Sequence, residues 1–326
     1  MKRNLLKQAA SFIKNEGRFL ITTHVNPDGD GIGSSLALGE ILKMMGKEVV
    51  YYCDSPIPDQ YIFLPGVDQF TRKLADVEPF NVIIVIDCGD LERLGDISRK
   101  IGGTATVLNI DHHVTNHISG ELRLVDASAC AAAEIVYRLI KELEQPITHA
   151  VALNLYTAIL TDTGSFRFSN TNRAAFEICE ELVGLGIVPQ FVAQQVYGTY
   201  PEGRLRLLTE VLNSLEISPN KIFAMVTVTN AMMTKTKTGS GDINGFVDYP
   251  RFIKGTEFAA LAREIDEKKV HVSLRSKGKV DVSEIAERFG GGGHFTASGF
   301  NMEGTLESVK TRLFQIADSV EKSSRL

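Results

Sequence analysis

Val82 to Ile86 is an unbroken run of five β-branched residues. Such a run fits a strand covered on both faces, as in the middle of a parallel sheet. Thr106 to Ile110 repeats the pattern, and Phe19-Leu20-Ile21-Thr22-Thr23 reads as another buried strand. Each run leads into acidic residues and histidines: Asp87 after the first, Asp111-His112-His113 after the second, and His24-x-x-x-Asp28-x-Asp30 after the third. Helical apolar spacing marks residues 5–16 (Leu5, Leu6, Ala9, Phe12, Ile13). A second helix runs from Gly33 to Met45 with Gly46 as its stop, and Val49 to Cys53 is a strand. Alanine-rich helices follow near 129–143 and 149–161. This alternation predicts an α/β domain with a doubly wound parallel sheet, spanning residues 1–190.

The pattern changes after that. Residues 191–215 are helical and polar, broken by Pro201, and read as a connector. From 216 to 326 a smaller α+β domain is expected. Ile222–Val228 is a strand. Glu257–Ile265 and Val270–Arg275 flank Asp266-Glu267-Lys268-Lys269 as a hairpin. Residues 283–289 and 305–320 are helices. Two domains suit a chain of 326 residues.

Composition excludes several functions. No run approaches the 18 apolar residues of a membrane span, and the basic start Met1-Lys2-Arg3 continues as an amphipathic helix rather than a signal peptide. A cytoplasmic protein is expected. Cys53, Cys88, Cys130 and Cys179 lie far apart in sequence and read as reduced, buried thiols. A net charge of −5 and the lack of tryptophan argue against coating long nucleic acid. Short anionic substrates remain compatible, because cations and a few basic side chains neutralise them locally.

The chemistry concentrates where strands end. In open α/β sheets, ligands gather at the carboxyl ends of the strands. Asp87 there is well placed for a cation and poorly placed for packing; the plain alternative is a solvent-facing start to a loop. Asn26-Pro27-Asp28-Gly29-Asp30-Gly31 reads as a tight loop whose two carboxylates face different ions, or else as an ordinary turn with side-chain caps. Asp162 closes an apolar helix before Thr163-Gly164-Ser165. Taken together, these residues supply enough oxygen and imidazole donors for two divalent cations, an arrangement that hydrolyses phosphate esters. In the second half, His271, Ser273 and Arg275 share one strand face opposite Val270, Val272 and Leu274. Arg275 suits a phosphate. The run Gly290–Gly293 before His294 offers backbone amides to an anion.

These motifs resemble the DHH–DHHA1 phosphoesterases. The likeness rests on His24-Val25-Asn26-Pro27-Asp28-Gly29-Asp30, Val85-Ile86-Asp87, Asp111-His112-His113, Thr161-Asp162-Thr163-Gly164-Ser165-Phe166 and Gly290-Gly291-Gly292-Gly293-His294. Gly245–Arg251 and Ser273-Leu274-Arg275-Ser276 point to the compact bacterial nano-RNases that also act on pAp. Phe252 stands where a small residue is expected. The resemblance implies one metal on His24, Asp28 and Asp87, and a second on Asp30, Asp87, His112 and Asp162, with Asp87 bridging. Mixed nitrogen and oxygen donors suit Mn²⁺ better than Mg²⁺. Asp111 would hold an imidazole in place, and His113 would meet the phosphoryl oxygen. Arg275, Ser273, Gly291, Gly292, Gly293 and His294 would bind substrate in a cleft between the domains.

The implied activity is hydrolysis of very short RNA, dinucleotides first, to nucleoside monophosphates, with removal of the 3′-phosphate of pAp. The implied partners are short oligoribonucleotides, pAp or linear dinucleotides, with no membrane and no long duplex. A homodimer is left open. A phosphodiesterase for signalling dinucleotides (pApA, pGpG, c-di-AMP) is the alternative within the same chemistry. A catalytically inactive nucleotide sensor is disfavoured by the intact ligand set, and inorganic pyrophosphatase by the glycine-rich second domain.

Overall fold

The computed structural model describes residues 3–73, 80–99, 101 and 106–324; Met1 and Lys2 of the basic N-terminus lie outside them. The chain divides into two compact units, Met1–Thr199 and Tyr200–Leu326.

The first unit runs α1 (Arg3–Asn15), β1 (Arg18–Thr22), α2 (Gly29–Met44), β2 (Glu48–Tyr52), β3 (Phe70–Thr71), β4 (Val82–Ile86), β5 (Thr106–Asp111) and β6 (Leu122–Val125). It continues with α3 (Ala132–Glu142), α4 (His149–Asp162), α5 (Arg173–Gly184) and α6 (Pro189–Tyr197). The six strands form one sheet in the order β3-β2-β1-β4-β5-β6, and every neighbouring pair is parallel. Alternate residues of the central strands enter two separate cores. Phe19, Ile21, Ile84, Leu108 and Ile110 pack with the helices in one. Leu20, Ile83, Val85 and Val107 join Tyr52, Leu94 and Ile97 in the other. Burial on both faces is why these strands read as continuous apolar runs. The edge strand β6 is not legible in the same way, because four residues of which only Leu124 is fully buried give periodicity too little to act on.

The second helix differs from its sequence-based expectation. It begins at Gly29 rather than Gly33, so residues 29–34 are its first turns and not a loop. Asp28 is the N-cap, and its Oδ1 accepts from the N–H groups of Asp30 (3.0 Å) and Gly31 (3.1 Å). That satisfies donors which a helix start otherwise leaves unpaired. The glycines here permit close approach. A Cβ on Gly33 would collide with the backbone oxygen of Asn154 in α4, one on Gly31 with the Thr23 side chain, and one on Gly29 with Thr161. The helix is therefore drawn down among the strand ends and α4, and its residues are buried almost all round.

The second unit contains α7 (Glu202–Asn213), β7 (Glu216–Ile217), β8 (Phe223–Val228), α8 (Asn230–Thr236), α9 (Asp248–Arg251), β9 (Phe258–Asp266) and β10 (Lys269–Ser276). After these come α10 (Val282–Glu287), β11 (Gly292–His294), β12 (Ala297–Glu303) and α11 (Leu306–Ser324). Its sheet has the order β11-β12-β10-β9-β8-β7. The β8–β9 pair is parallel and the others antiparallel. Val270, Val272 and Leu274 of β10 enter the core with Val309 and Leu313. The strand's other face carries His271, Ser273 and Arg275, each only partly buried. The glycine run is not wholly a loop, since Gly292 and Gly293 pair with β12. A Cβ on Gly291 or Gly293 would strike the β12 backbone, so these glycines serve strand approach.

Gly33→Ala is expected to lower the melting temperature. Overpacking costs about 1–3 kcal/mol, which corresponds to a drop of about 2–12 °C at this size. A scan showing no change would contradict the close approach of α2 and α4.

Candidate metal centre

The strand order reverses at β1, whose neighbours are β2 and β4. This is the switch point at which open α/β sheets bind ligands. His24 lies just beyond β1 and Asp87 directly follows β4, so the carboxyl ends of the strands flanking that point carry an imidazole and a carboxylate. Asp87 adopts a left-handed backbone (φ +55°), a conformation that costs an L-residue energy and persists only where its surroundings impose it. Its N–H donates to Ile110 O (2.9 Å), which extends the β4–β5 ladder by one step and fixes the turn.

The side chains converge on Asp87. Its Oδ2 is 3.5 Å from His24 Nε2, and its Oδ1 is 3.5 Å from His112 Nε2. His112 Nε2 also lies 3.8 Å from Asp30 Oδ2 and 3.5 Å from Asp162 Oδ2. His24 Nε2 is 3.9 Å from Asp28 Oδ1. Potential ligand atoms of His24, Asp28 and Asp87 lie within 4.8 Å of one another, as do those of Asp30, Asp87 and His112. Asp87 is common to both groups, with one oxygen toward each imidazole. Asp162 approaches through His112.

Each side chain is aimed by a further contact. His24 Nδ1 is 2.9 Å from Val25 O, and Arg93 Nη2 lies 3.1 Å from the same nitrogen. His112 Nδ1 is 3.4 Å from Ala129 O. In both rings Nε2 thus faces the carboxylates. Asp30 is fully buried and caps a helix other than its own: its oxygens accept from Ala132 N (2.6 Å), Ala133 N (3.0 Å) and Ser34 Oγ (2.9 Å). The α3 N-terminus has no capping side chain at Ala131, and Asp30 supplies one where the helix dipole favours an anion. Asp111 stands behind the cluster. Its Oδ1 accepts from His112 N (2.8 Å) and lies 2.6 Å from His113 Nδ1, while Asn116 Nδ2 donates to Oδ2 (2.5 Å). A carboxylate only accepts, so His113 Nδ1 carries the proton of that bond.

Electrostatics show what the cluster requires. Burial drives the Asp30 carboxyl well above its usual range, and the Asp87 charge adds to it. Burial likewise pushes Asp162 up to about 7, with His112 opposing and the charges of Asp87 and Asp28 reinforcing the rise. Burial would raise Asp87 too, but hydrogen bonding with His112 and His24 prevails and holds it well below the usual carboxylate range. Burial opposes a charged His112 ring, yet Asp162 and Asp87 outweigh it and raise its pKa well above normal. For His113 burial again opposes the charge, and Asp111 overcomes it. Asp87 Oδ1 is buried and receives no hydrogen bond of good geometry. Several buried carboxylates with converging imidazoles, among them an Asp87 oxygen that imidazole nitrogens face only at 3.5 and 3.7 Å, form a donor set suited to divalent cations.

Residues 18–159 match the DHH family, N-terminal domain, and residues 221–323 match the DHHA1 domain. The chain belongs to the DHH–DHHA1 family. It is 34% identical over 308 residues to the bifunctional oligoribonuclease and PAP phosphatase NrnA of Thermus thermophilus, covering 91% of each chain. It is 29% identical over 287 residues to the Bacillus subtilis protein of the same name, covering 86% of this chain and 88% of that one. Among solved structures, an exopolyphosphatase-related protein from Bacteroides fragilis superposes with a TM-score of 0.91 at 29% identity, covering 100% of this chain and 98% of the other. RecJ of Thermus thermophilus, solved with Mn²⁺, shares the fold at a TM-score of 0.55 and 14% identity, covering 98% of this chain and 55% of RecJ.

Sequence reasoning named His24, Asp28, Asp30, Asp87, His112, His113 and Asp162, and the structure brings all seven into one cluster. Arg275 and Ser273 lie on β10 of the second unit, and Gly292–His294 form β11 with Gly291 just before it. Sequence reasoning did not find Arg93, Asn116 or the Ala129 carbonyl. Single polar residues in loops carry no periodic signal, and their default reading is a turn.

Asp87→Asn is expected to cut turnover by at least about a hundredfold, since partners that merely support metal ligands already cost about 10–100-fold. The metal-free variant should still fold, because Asn keeps the size of the side chain and tolerates a left-handed backbone. Assays at saturating Mn²⁺ with parallel melting curves check both points. Divalent-ion binding should also release protons near neutrality, since Asp162 must give its own up. With Asp162 near 7, apparent affinity should weaken as pH falls from 8 to 6, and the proton release from Asp162 should fade above that pKa. Calorimetry in two buffers of different ionisation enthalpy measures this, and a pH-independent affinity would refute it.

Proposed function

We propose that this chain is a metal-dependent phosphodiesterase and phosphatase. It cleaves very short RNA, dinucleotides first, to nucleoside monophosphates, and it removes the 3′-phosphate of pAp. The observation that carries this reading is near full-length similarity to relatives named as bifunctional oligoribonucleases and PAP phosphatases, in a chain that retains the buried donor cluster. His24, Asp28 and Asp87 would hold one divalent cation, and Asp30, Asp87, His112 and Asp162 a second. Mn²⁺ is favoured by the mixed donors. When bound, such a pair supplies Lewis acidity and an activated water.

The chain's own residues do the rest. Asp87 presents one oxygen to each imidazole and so holds the two halves of the site at a fixed separation. His113 keeps Nδ1–H on Asp111, which leaves Nε2 to meet a phosphoryl oxygen. Its raised pKa favours the imidazolium that donates there. Arg275, Ser273, Gly291, Gly292, Gly293 and His294 hold a second phosphate of the substrate. With two anchor points and a net charge of −5, additional nucleotides add little binding. The four cysteines are free and buried, which suits a reducing cytoplasm. Among the described residues, no helix is long and apolar enough to cross a membrane.

The test is kcat/KM with Mn²⁺ on pAp, pApA, c-di-AMP and RNA of 2 to 20 nucleotides at one salt concentration. The expected optimum lies at two to about five nucleotides, since only a short strand is held wholly by its two anchors. A value climbing steadily to the 20-mer would favour a processive exonuclease instead. Arg275→Ala should raise KM for dinucleotides about 10–100-fold, the effect of losing a charge-assisted contact of about 1.5–3 kcal/mol. Its metal content should stay unchanged. An unaltered KM, or lost metal, would remove Arg275 from substrate binding.

A further inference from the structure

One amide side chain ties the carboxylate at the end of α4 to the loop that aims His112. After Asp162 the chain turns through three consecutive left-handed residues, Gly164 (φ +56°), Ser165 (φ +60°) and Phe166 (φ +62°). Two of the three are not glycine, and each left-handed L-residue costs about 1–2 kcal/mol. The turn is nonetheless fixed. Ser165 N donates to Leu160 O (2.8 Å), Phe166 N to Thr163 Oγ1 (3.1 Å), and both Arg167 N (2.9 Å) and Phe168 N (3.0 Å) to Thr163 O. Phe166 is stacked on Phe176 of α5 at 5.2 Å between centroids. A reversal this tight brings Asn170 back beside Asp162, eight residues earlier.

Asn170 Nδ2 then faces three acceptors: Cys130 O at 2.8 Å, Asp162 Oδ2 at 2.9 Å and Asp162 O at 3.1 Å. The amide orientation is determined, because the flipped form would place Oδ1 against three oxygens. Its own Oδ1 is buried without a donor, so the contacts on Nδ2 are what the side chain is kept for. Cys130 directly follows Ala129, whose carbonyl aims His112. The same loop is gripped from the other side by Glu134, which accepts from Cys130 N (2.7 Å). One NH₂ group therefore connects the orientation of Asp162 with that of the loop behind His112.

We propose that Asn170 is a positioning residue that holds the Asp162 carboxylate and the His112-aiming loop in register for one of the two cations. The inference rests on the two-cation reading given above. Asn170 would act through Asp162, whose Oδ2 accepts from its Nδ2 at 2.9 Å.

The experiment counts and ranks bound Mn²⁺ in the full-length protein by electron paramagnetic resonance of the free ion, at fixed pH, with melting temperatures measured in the metal-free state. Wild type should bind two ions per chain; fewer would overturn the two-cation reading itself, independently of Asn170. Asn170→Leu, nearly the same size without a donor, should weaken one ion by about 10–100-fold and leave the other unchanged. Asn170→Ala serves as the second variant should leucine disturb folding. A structural role alone would lower the melting temperature without separating the two ions. Two ions of wild-type affinity in either folded variant would overturn the proposal. So would equal weakening of both, since the direct approach of Asp162 is to His112, at 3.5 Å.

Discussion

The structure of this site depends on placing several carboxylates in a space where water does not reach them. Asp30 and Asp87 are almost wholly buried, and like charges so close resist joint ionisation. The fold manages the problem by distributing them. Asp30 is held by two amides at the start of α3 and by Ser34. Asp87 is held between two imidazoles, and Asp111 is turned away onto His113 and Asn116. Asp30 and Asp87 still direct negative charge at a common centre. A divalent cation relieves the repulsion that remains, so affinity for metal and cost to the fold have one origin.

That arrangement explains several otherwise unrelated details. The strand order of the described residues reverses between β1 and β4, and open α/β sheets bind ligands at such a point. Glycines 29, 31 and 33 let α2 settle close to Thr161, Thr23 and Asn154, which brings Asp30 to the amides of α3. The left-handed backbone at Asp87 ends β4 with the carboxylate placed between two strand ends. Strained backbone clusters at functional sites because the surroundings must impose it, and here the surroundings are a ladder hydrogen bond and two imidazoles.

The second unit solves a different problem. One face of its central strand β10 is consumed by the core, and the other keeps His271, Ser273 and Arg275 at partial burial. His271 Nδ1 meets Asn301 of the neighbouring β12 at 2.9 Å. The glycines before His294 are needed first for the approach of β11 to β12.

The sequence by itself determined the strands that carry the site and the side chains at their ends. Val82–Ile86 and its neighbours are apolar on both faces because both faces are buried, and that burial leaves a direct trace in composition. Aspartate and histidine at the ends of such runs are legible for the complementary reason, since packing gives them no purpose there. Tertiary structure alone decided that Asp30 caps α3 from 102 residues away, that α2 starts at Gly29, and that Asn170 returns to Asp162. Those outcomes depend on which backbone groups come within about 3 Å of a lone polar side chain. Such distances follow from how helices and turns settle against one another, and no periodicity in the chain encodes them.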